Sequence, residues 1–216
     1  GTTAWGATTF NKDHTVTTGT IQAQIDAASP GDTIYIPAGT YIEQLVINKD
    51  LTLIGEAGTI IQAPASGRQT YTLAESSKTW DPIILAYGGT MSGSHISGAG
   101  TIDVEIIGLE LNGGNTGVNG VRYAGILGRN MNGLIDGNYV HDMWGAVATG
   151  PETMGIIVMG DSTITISDNT VEDFSRGGIT ANGDGSSAPD PDAIIEGNTV
   201  YGYDEGSATG YWADNG

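Results

Sequence analysis

Only seven of the 216 residues are Lys or Arg, against 25 Asp and Glu. Three of those seven, Arg122, Arg129 and Arg176, fall in the second half of the chain, near His141-Asp142 and Glu172-Asp173. Arginine, imidazole and carboxylate brought to one face can hold a sugar and move a proton to or from it. That makes Arg122, Arg129, Arg176, His141, Asp142 and Asp173 the candidate catalytic set. The plainer reading of the same side chains is ion pairing between neighbouring segments of the fold.

A second chemistry is metal binding. Asp184, Asp190 and Asp192 share one loop with Ser186 and Ser187, and hard oxygen ligands on a flexible loop suit calcium, the one cofactor the sequence raises. Their spacing matches neither an EF-hand nor a nonapeptide repeat, so an ordinary acidic loop is the simpler account. Asp204-Glu205 is a weaker pair of the same kind. Trp80, Trp144, Tyr201, Tyr203, Tyr211 and Trp212 carry rings that can stack on sugars. Trp144, Tyr203, Tyr211 and Trp212 are the main contact candidates, for glycan or for a second subunit. His14 and His95 have no partner in sequence and read as exposed loop residues.

What must position these residues is a repeat. The segments LIDGNYV, ITISDNTV and IIEGNTV place Asn138, Asn169 and Asn198 in one column, 31 and 29 residues apart, with Leu109 standing 29 residues before the first. Such a period marks a solenoid, whose coils stack about 4.8 Å apart. In that geometry the three Asn form a ladder of side-chain amides. Tyr139, Thr170 and Thr199 then face solvent, Val140, Val171 and Val200 enter the core, and Met143, Phe174 and Tyr203 stack at a corner. A second signature, Gly followed by apolar residues, recurs at Gly125-Ile126-Leu127, Gly155-Ile156-Ile157 and Gly178-Ile179-Thr180.

Upstream, Ile21, Ile25 and Ala28 fall at helical spacing between Thr20 as N-cap and Pro30-Gly31 as stop. A lone helix there covers the open end of the first coil. Short alternating runs follow at 33–36, 44–47 and 51–54, divided by turn chemistry at Pro37-Ala38-Gly39 and Asn48-Lys49-Asp50. Residues 62–82 read as a loop thrown out between coils. Strands resume at 83–86, pause through the Gly/Ser-rich 88–100 and return at 104–107.

The run IQAQIDAASPGDTIYIPAGTYIEQLVINKDLTLIGE resembles the opening of right-handed parallel β-helix proteins of the pectin-lyase-like class, including NosD-like periplasmic and archaeal surface proteins. The expected fold is all-β: a right-handed parallel β-helix of about six or seven coils with a short N-terminal capping α-helix. One domain spans 1–216, with 1–19 as a cover, 20–29 as the capping helix and 32–216 as coils. The resemblance brings polysaccharide cleavage into view. The Gly-His-Gly and Arg-Ile-Lys motifs of polygalacturonases, the Gln and Asp motifs of pectin methylesterases and the Asp-Pro-His run of epimerases are all missing from the sequence.

A net charge of −18 repels nucleic acid and anionic membrane surfaces. No apolar run reaches the roughly 18 residues of a membrane span, so no membrane insertion is expected. Thirty-five glycines suit many tight turns, and the absence of cysteine leaves the compartment open. The first expectation is a non-catalytic extracellular or cell-surface protein of a sheath, surface layer, filament or matrix. It is a secreted chain numbered after signal removal, self-associating as a homo-oligomer or filament and also binding polysaccharide. A lyase or glycoside hydrolase of this fold is the alternative, and a carbohydrate-binding module of a larger surface protein is the third reading. The last coil stops where another Gly-Ile strand is due, which points to a longer β-helix or to an end covered by a partner.

Overall fold

The computed structural model describes residues 19–74, 78–118, 120–145, 152–183 and 189–202. Helix α1 (Ile21–Ala27) begins where the Thr20 side chain accepts from the Ala23 amide at 3.1 Å. It closes one end of a stack of coils, each built from three short strands. The first coil is β1 (Asp32–Ile36), β2 (Gly39–Ile42) and β3 (Leu45–Ile47). The second is β4 (Leu51–Gly55), β5 (Thr59–Gln62) and, after an excursion carrying β6 (Tyr71–Leu73), the long β7 (Thr79–Tyr87). A hairpin of β8 (Thr90–Ser92) and β9 (His95–Ser97) leads to β10 (Ile102–Ile107), β11 (Glu110–Asn112) and β12 (Arg122–Arg129). Then come β13 (Met131–Asp136), β14 (Tyr139–His141) and β15 (Thr153–Met159), followed by β16 (Thr163–Ser167), β17 (Thr170–Glu172) and β18 (Gly177–Asn182). β19 (Asp192–Glu196) and β20 (Thr199–Tyr201) begin a sixth coil.

Like strands of successive coils pair in parallel, which gives three sheets: β1-β4-β10-β13-β16-β19, β2-β5-β11-β14-β17-β20, and a third through β3, β7, β12, β15 and β18. The first two sheets keep the alternation of a half-buried strand; β10, for example, buries Ile102, Val104 and Ile106 and exposes Asp103 and Glu105. The central strands of the third, β7, β12 and β15, are buried on both faces. Ile84, Ile126 and Ile156 belong to the main core, and Leu85, Leu127 and Ile157 to a second apolar layer outside it.

The loop expected over residues 62–82 is present as the irregular stretch 63–70, but the range also takes in the last residue of β5, strand β6 and the start of β7. The pause at 88–100 is the β8–β9 hairpin, with His95 on a strand and exposed. Polar Thr72 and Thr79 pair with each other across β6 and β7, and so disguise two strand ends as loop.

The N-terminal edge is closed by side chains that imitate a strand. The Gln22 amide accepts from the Val46 N–H at 2.7 Å and donates to the Val46 carbonyl at 3.1 Å, satisfying the bare edge of β3. Glu43 accepts from the first two amides of α1 at 2.9 and 3.0 Å. At the other terminus Lys49 Nζ donates to the carbonyls of Ile25, Asp26 and Ala28.

The two repeat signatures interlock. A Cβ added to Gly125, Gly155 or Gly178 would lie 2.5, 2.1 or 2.3 Å from Cγ1 of Val140, Val171 or Val200, the valine of the next coil. Glycine leaves the hollow that each valine fills. We expect Gly155→Ala to cost about 3 kcal/mol by overpacking. In a double-mutant cycle by urea denaturation, adding Val171→Ala should cost less than the sum of the separate changes; strictly additive losses would show that the two residues do not meet.

Candidate functional site

The ladder column is built as a chain of amides. Asn138 Nδ2 donates to Asn169 Oδ1 at 2.9 Å, and Asn169 Nδ2 donates to Asn198 Oδ1 at 2.9 Å. The same oxygens accept backbone N–H groups one coil back: Asn138 Oδ1 from Leu109, Asn169 Oδ1 from Asn138, and Asn198 Oδ1 from Asn169. Each Asn follows a residue in left-handed conformation, Gly137, Asp168 and Gly197 with φ of 63°, 53° and 69°. Only Gly, Asn or Asp takes that shape readily, which explains the Gly/Asp-Asn pair of the repeat. Val140 and Val171 are buried as the column requires, and Met143 and Phe174 pack in the core beside them. Tyr203 lies outside the described residues.

The proposed catalytic set is divided among three places. Arg122 and Arg129 stand at opposite ends of one strand, and seven steps of extended chain part them by roughly 23 Å. Arg122 Nε meets Glu152 Oε2 at 2.6 Å, and Arg176 Nη1 pairs with Glu152 Oε1, so one carboxylate holds two guanidinium groups. The Arg122 guanidinium also lies over the Trp80 ring, 5.2 Å from its centroid. That ring is fully buried, which removes Trp80 as a sugar-stacking surface. A cavity of about 270 Å³ opens here, lined by Lys78, Thr79, Gly120, Val121, Arg122 and Glu152.

Arg129 is buried at the other end of β12, where its guanidinium donates to the carbonyls of Gly88 and Gly98 at 2.8 and 3.1 Å. It ties the β8–β9 hairpin down, a structural duty that takes it out of the candidate set.

His141 lies on the second sheet. Its Nδ1 faces Asp142 Oδ2 and its Nε2 faces Glu110 Oε1, each at 3.1 Å, and its ring stacks on Tyr139 at 4.3 Å. Tyr139 OH donates to Glu172 Oε2 at 2.9 Å. Burial, then the neighbouring Asp142 and Glu172 charges, push the Asp173 carboxyl above its ordinary range. Burial, with Glu172 as partner, pushes the Tyr139 phenol up to about 12. His141, Asp142 and Asp173, with Glu110, thus form a cluster joining three coils, and no arginine pairs with it among the described residues.

A network that sequence reasoning missed lies behind the Arg122 cavity. Arg68 Nε and Nη2 grip the Asp81 carboxylate at 2.7 to 3.0 Å, Nη1 donates to Thr116 Oγ1 at 2.7 Å, and the guanidinium lies over the Tyr123 ring at 4.9 Å. Gln44 Nε2 donates to the Pro82 carbonyl beside it. Burial pushes the Tyr123 phenol up to about 12. Burial pulls the Arg68 guanidinium down, but the hydrogen bond to Asp81 and the charges of Tyr123 and Asp81 together outweigh it, leaving it raised. The signal available in the sequence was a basic residue followed by an acid flanked by aromatic and proline, Trp80-Asp81-Pro82, inside an otherwise apolar strand.

Among the described residues no buried side-chain nitrogen or oxygen lacks a partner, and no three His, Asp or Glu side chains are grouped to hold a metal. Asp190 and Asp192 are described, and Asp192 opens β19 with its N–H donated to the Ser162 carbonyl. Asp184, Ser186, Ser187, Asp204, Glu205, Tyr211, Trp212 and His14 lie outside the described residues. Trp144 is half-buried, its carbonyl accepting from the Gly117 N–H. No helix among the described residues is long and apolar enough to cross a membrane.

A family model described as a right-handed β-helix region matches residues 83–213, more than half of the chain. The chain belongs to the right-handed β-helix family. No curated protein and no solved structure matches it. Family membership covers the coils that carry the ladder, the Gly–Val interlock and the Glu152 pair, and it assigns no activity to any of them.

Proposed function

We propose that this right-handed β-helix is a non-catalytic module of the cell exterior, part of a sheath, surface layer, filament or matrix, which associates with its own kind through the face of its sixth coil. One observation carries the reading. Ile195 and Val200 point inward, in register with the buried Ile166 and Val171, yet are 47% and 43% exposed. Between them opens a cavity of about 380 Å³, lined also by Gly178, Ile179 and Asn198. Among the described residues no further coil packs on this cross-section of the solenoid core, and such a face is a template for association.

Supporting it, Arg129 is spent on holding the β8–β9 hairpin and His141 is paired with Asp142 and with Glu110 of the preceding coil. The acidic surface and the resemblance of residues 21–56 to NosD-like periplasmic and archaeal surface proteins fit an exterior location. Light scattering and electron microscopy of the purified chain test the proposal. We expect oligomers or filaments that Ile195→Asp/Val200→Asp disperses while leaving the melting temperature within about 4 °C. Monomers of the unaltered chain at every concentration and salt level would sink it.

A further inference from the structure

We propose that the cavity between Lys78 and Arg122 is an oxyanion site, which takes a sulfate ester or carboxylate carried on an acidic polysaccharide. This goes beyond association through the sixth coil, and it rests on different residues.

The local charge opposes the global one. Within a chain of net charge −18, Arg122 and Arg176 share a single carboxylate, Glu152, and Lys78 lines the same cavity as Arg122 and Glu152. Arg68 and Asp81, on the neighbouring excursion and on β7, are paired with each other at 2.7 Å and both about 5% exposed, so they contribute little net field. At physiological salt the Debye length is about 8 Å, and acids on distant coils are screened while the cations lining the cavity are not. An anionic group arriving there meets a net positive notch on an otherwise repellent surface.

The arginine is already organised for the task. Its Nε is fixed by Glu152 at 2.6 Å and its plane by the Trp80 ring, and its side chain is only 15% exposed. Neither terminal Nη group has a hydrogen-bond partner among the described residues. Two parallel N–H donors held in a plane are what a carboxylate or sulfate accepts bidentately, and their prior immobilisation lowers the entropic cost of binding. Lys78, exposed and likewise without a described partner, adds a second cation, and Thr79 lines the same wall. At about 270 Å³ the notch lies just below the usual range for small-molecule sites, which suits one charged sugar unit of a longer chain.

The test is affinity electrophoresis and calorimetry of the full chain at physiological salt, with dextran sulfate, oligogalacturonate and neutral dextran as probes. We expect at least one of the two anionic polymers to bind and neutral dextran not to, with the responding polymer identifying the oxyanion. Lys78→Gln and Arg122→Gln should each weaken binding about tenfold or more. Because Lys78 is exposed, Lys78→Gln keeps the fold even if Arg122→Gln does not. No binding of either anionic polymer, unchanged binding by Lys78→Gln, or equal binding of neutral dextran overturns the proposal. Loss of self-association has no bearing on this result, and the reverse holds as well.

Discussion

Replacing Arg68 by Met is expected to destabilise the molecule by about 3–5 kcal/mol, because it strands the Asp81 carboxylate in a site built around the guanidinium. Asp81 is 4% exposed, and once Arg68 is gone its nearest remaining donor is Gln44 Nε2 at 3.5 Å. The variant also frees the carbonyls of Pro64 and Thr116, which Arg68 draws onto the outside of the third sheet. Changing both partners, Arg68→Met with Asp81→Leu, should recover much of the loss, since a desolvated ion pair is often replaceable by apolar side chains. Guanidinium denaturation measures both variants. A single-variant loss below about 1 kcal/mol would mean that the pair is effectively solvated, as surface pairs are.

The second large effect concerns the ladder, where position along the column decides the cost. Asn169→Leu removes the oxygen that accepts from the Asn138 N–H and Nδ2, and the amide that donates to the Ile135 carbonyl. Each buried group left unpaired costs roughly 1–3 kcal/mol, so a total near 4 kcal/mol is expected. Asn138→Leu orphans only the Leu109 N–H and the Ile106 carbonyl, because Asn169 still accepts from the backbone at position 138. It moves the leucine end of the ladder one coil along, and it should cost less. Thermal and urea unfolding of the pair would show the order; Asn138→Leu equal to or worse than Asn169→Leu would mean that the amides do not act as a directional chain.

Much of this architecture was written in the periodicity. The 31- and 29-residue spacing of Asn138, Asn169 and Asn198 placed a column whose hydrogen bonds follow from stacking alone, and Thr20 with the Ile21/Ile25 pattern located the capping helix. Less legible was whatever depends on partners far apart in sequence. Arg68 looked like loop because its meaning lies in Asp81 and Thr116, 13 and 48 residues away. The Gly-Ile signature was visible, but not its cause, since the valine filling the hollow belongs to another strand of the next coil. For the candidate site, the three arginines were grouped by residue type where strand length should have divided them. An eight-residue strand keeps Arg122 and Arg129 at opposite rims of the third sheet. Lys78 lay in a stretch that read as loop, so its place beside Arg122 on the rim of a cavity was not legible.

The fit of each glycine to the valine that follows it also bears on how such a rod changes length. Because the coils that carry β12, β15 and β18 each present the same hollow to the coil that follows, the same joint recurs from Gly125–Val140 through Gly155–Val171 to Gly178–Val200. A whole period can be copied or lost with both new neighbours still matched, whereas a fractional one leaves a methyl against a wall. Length in this molecule is therefore a digital quantity, counted in coils, and genetic duplication at the repeat period is the change it accepts most cheaply.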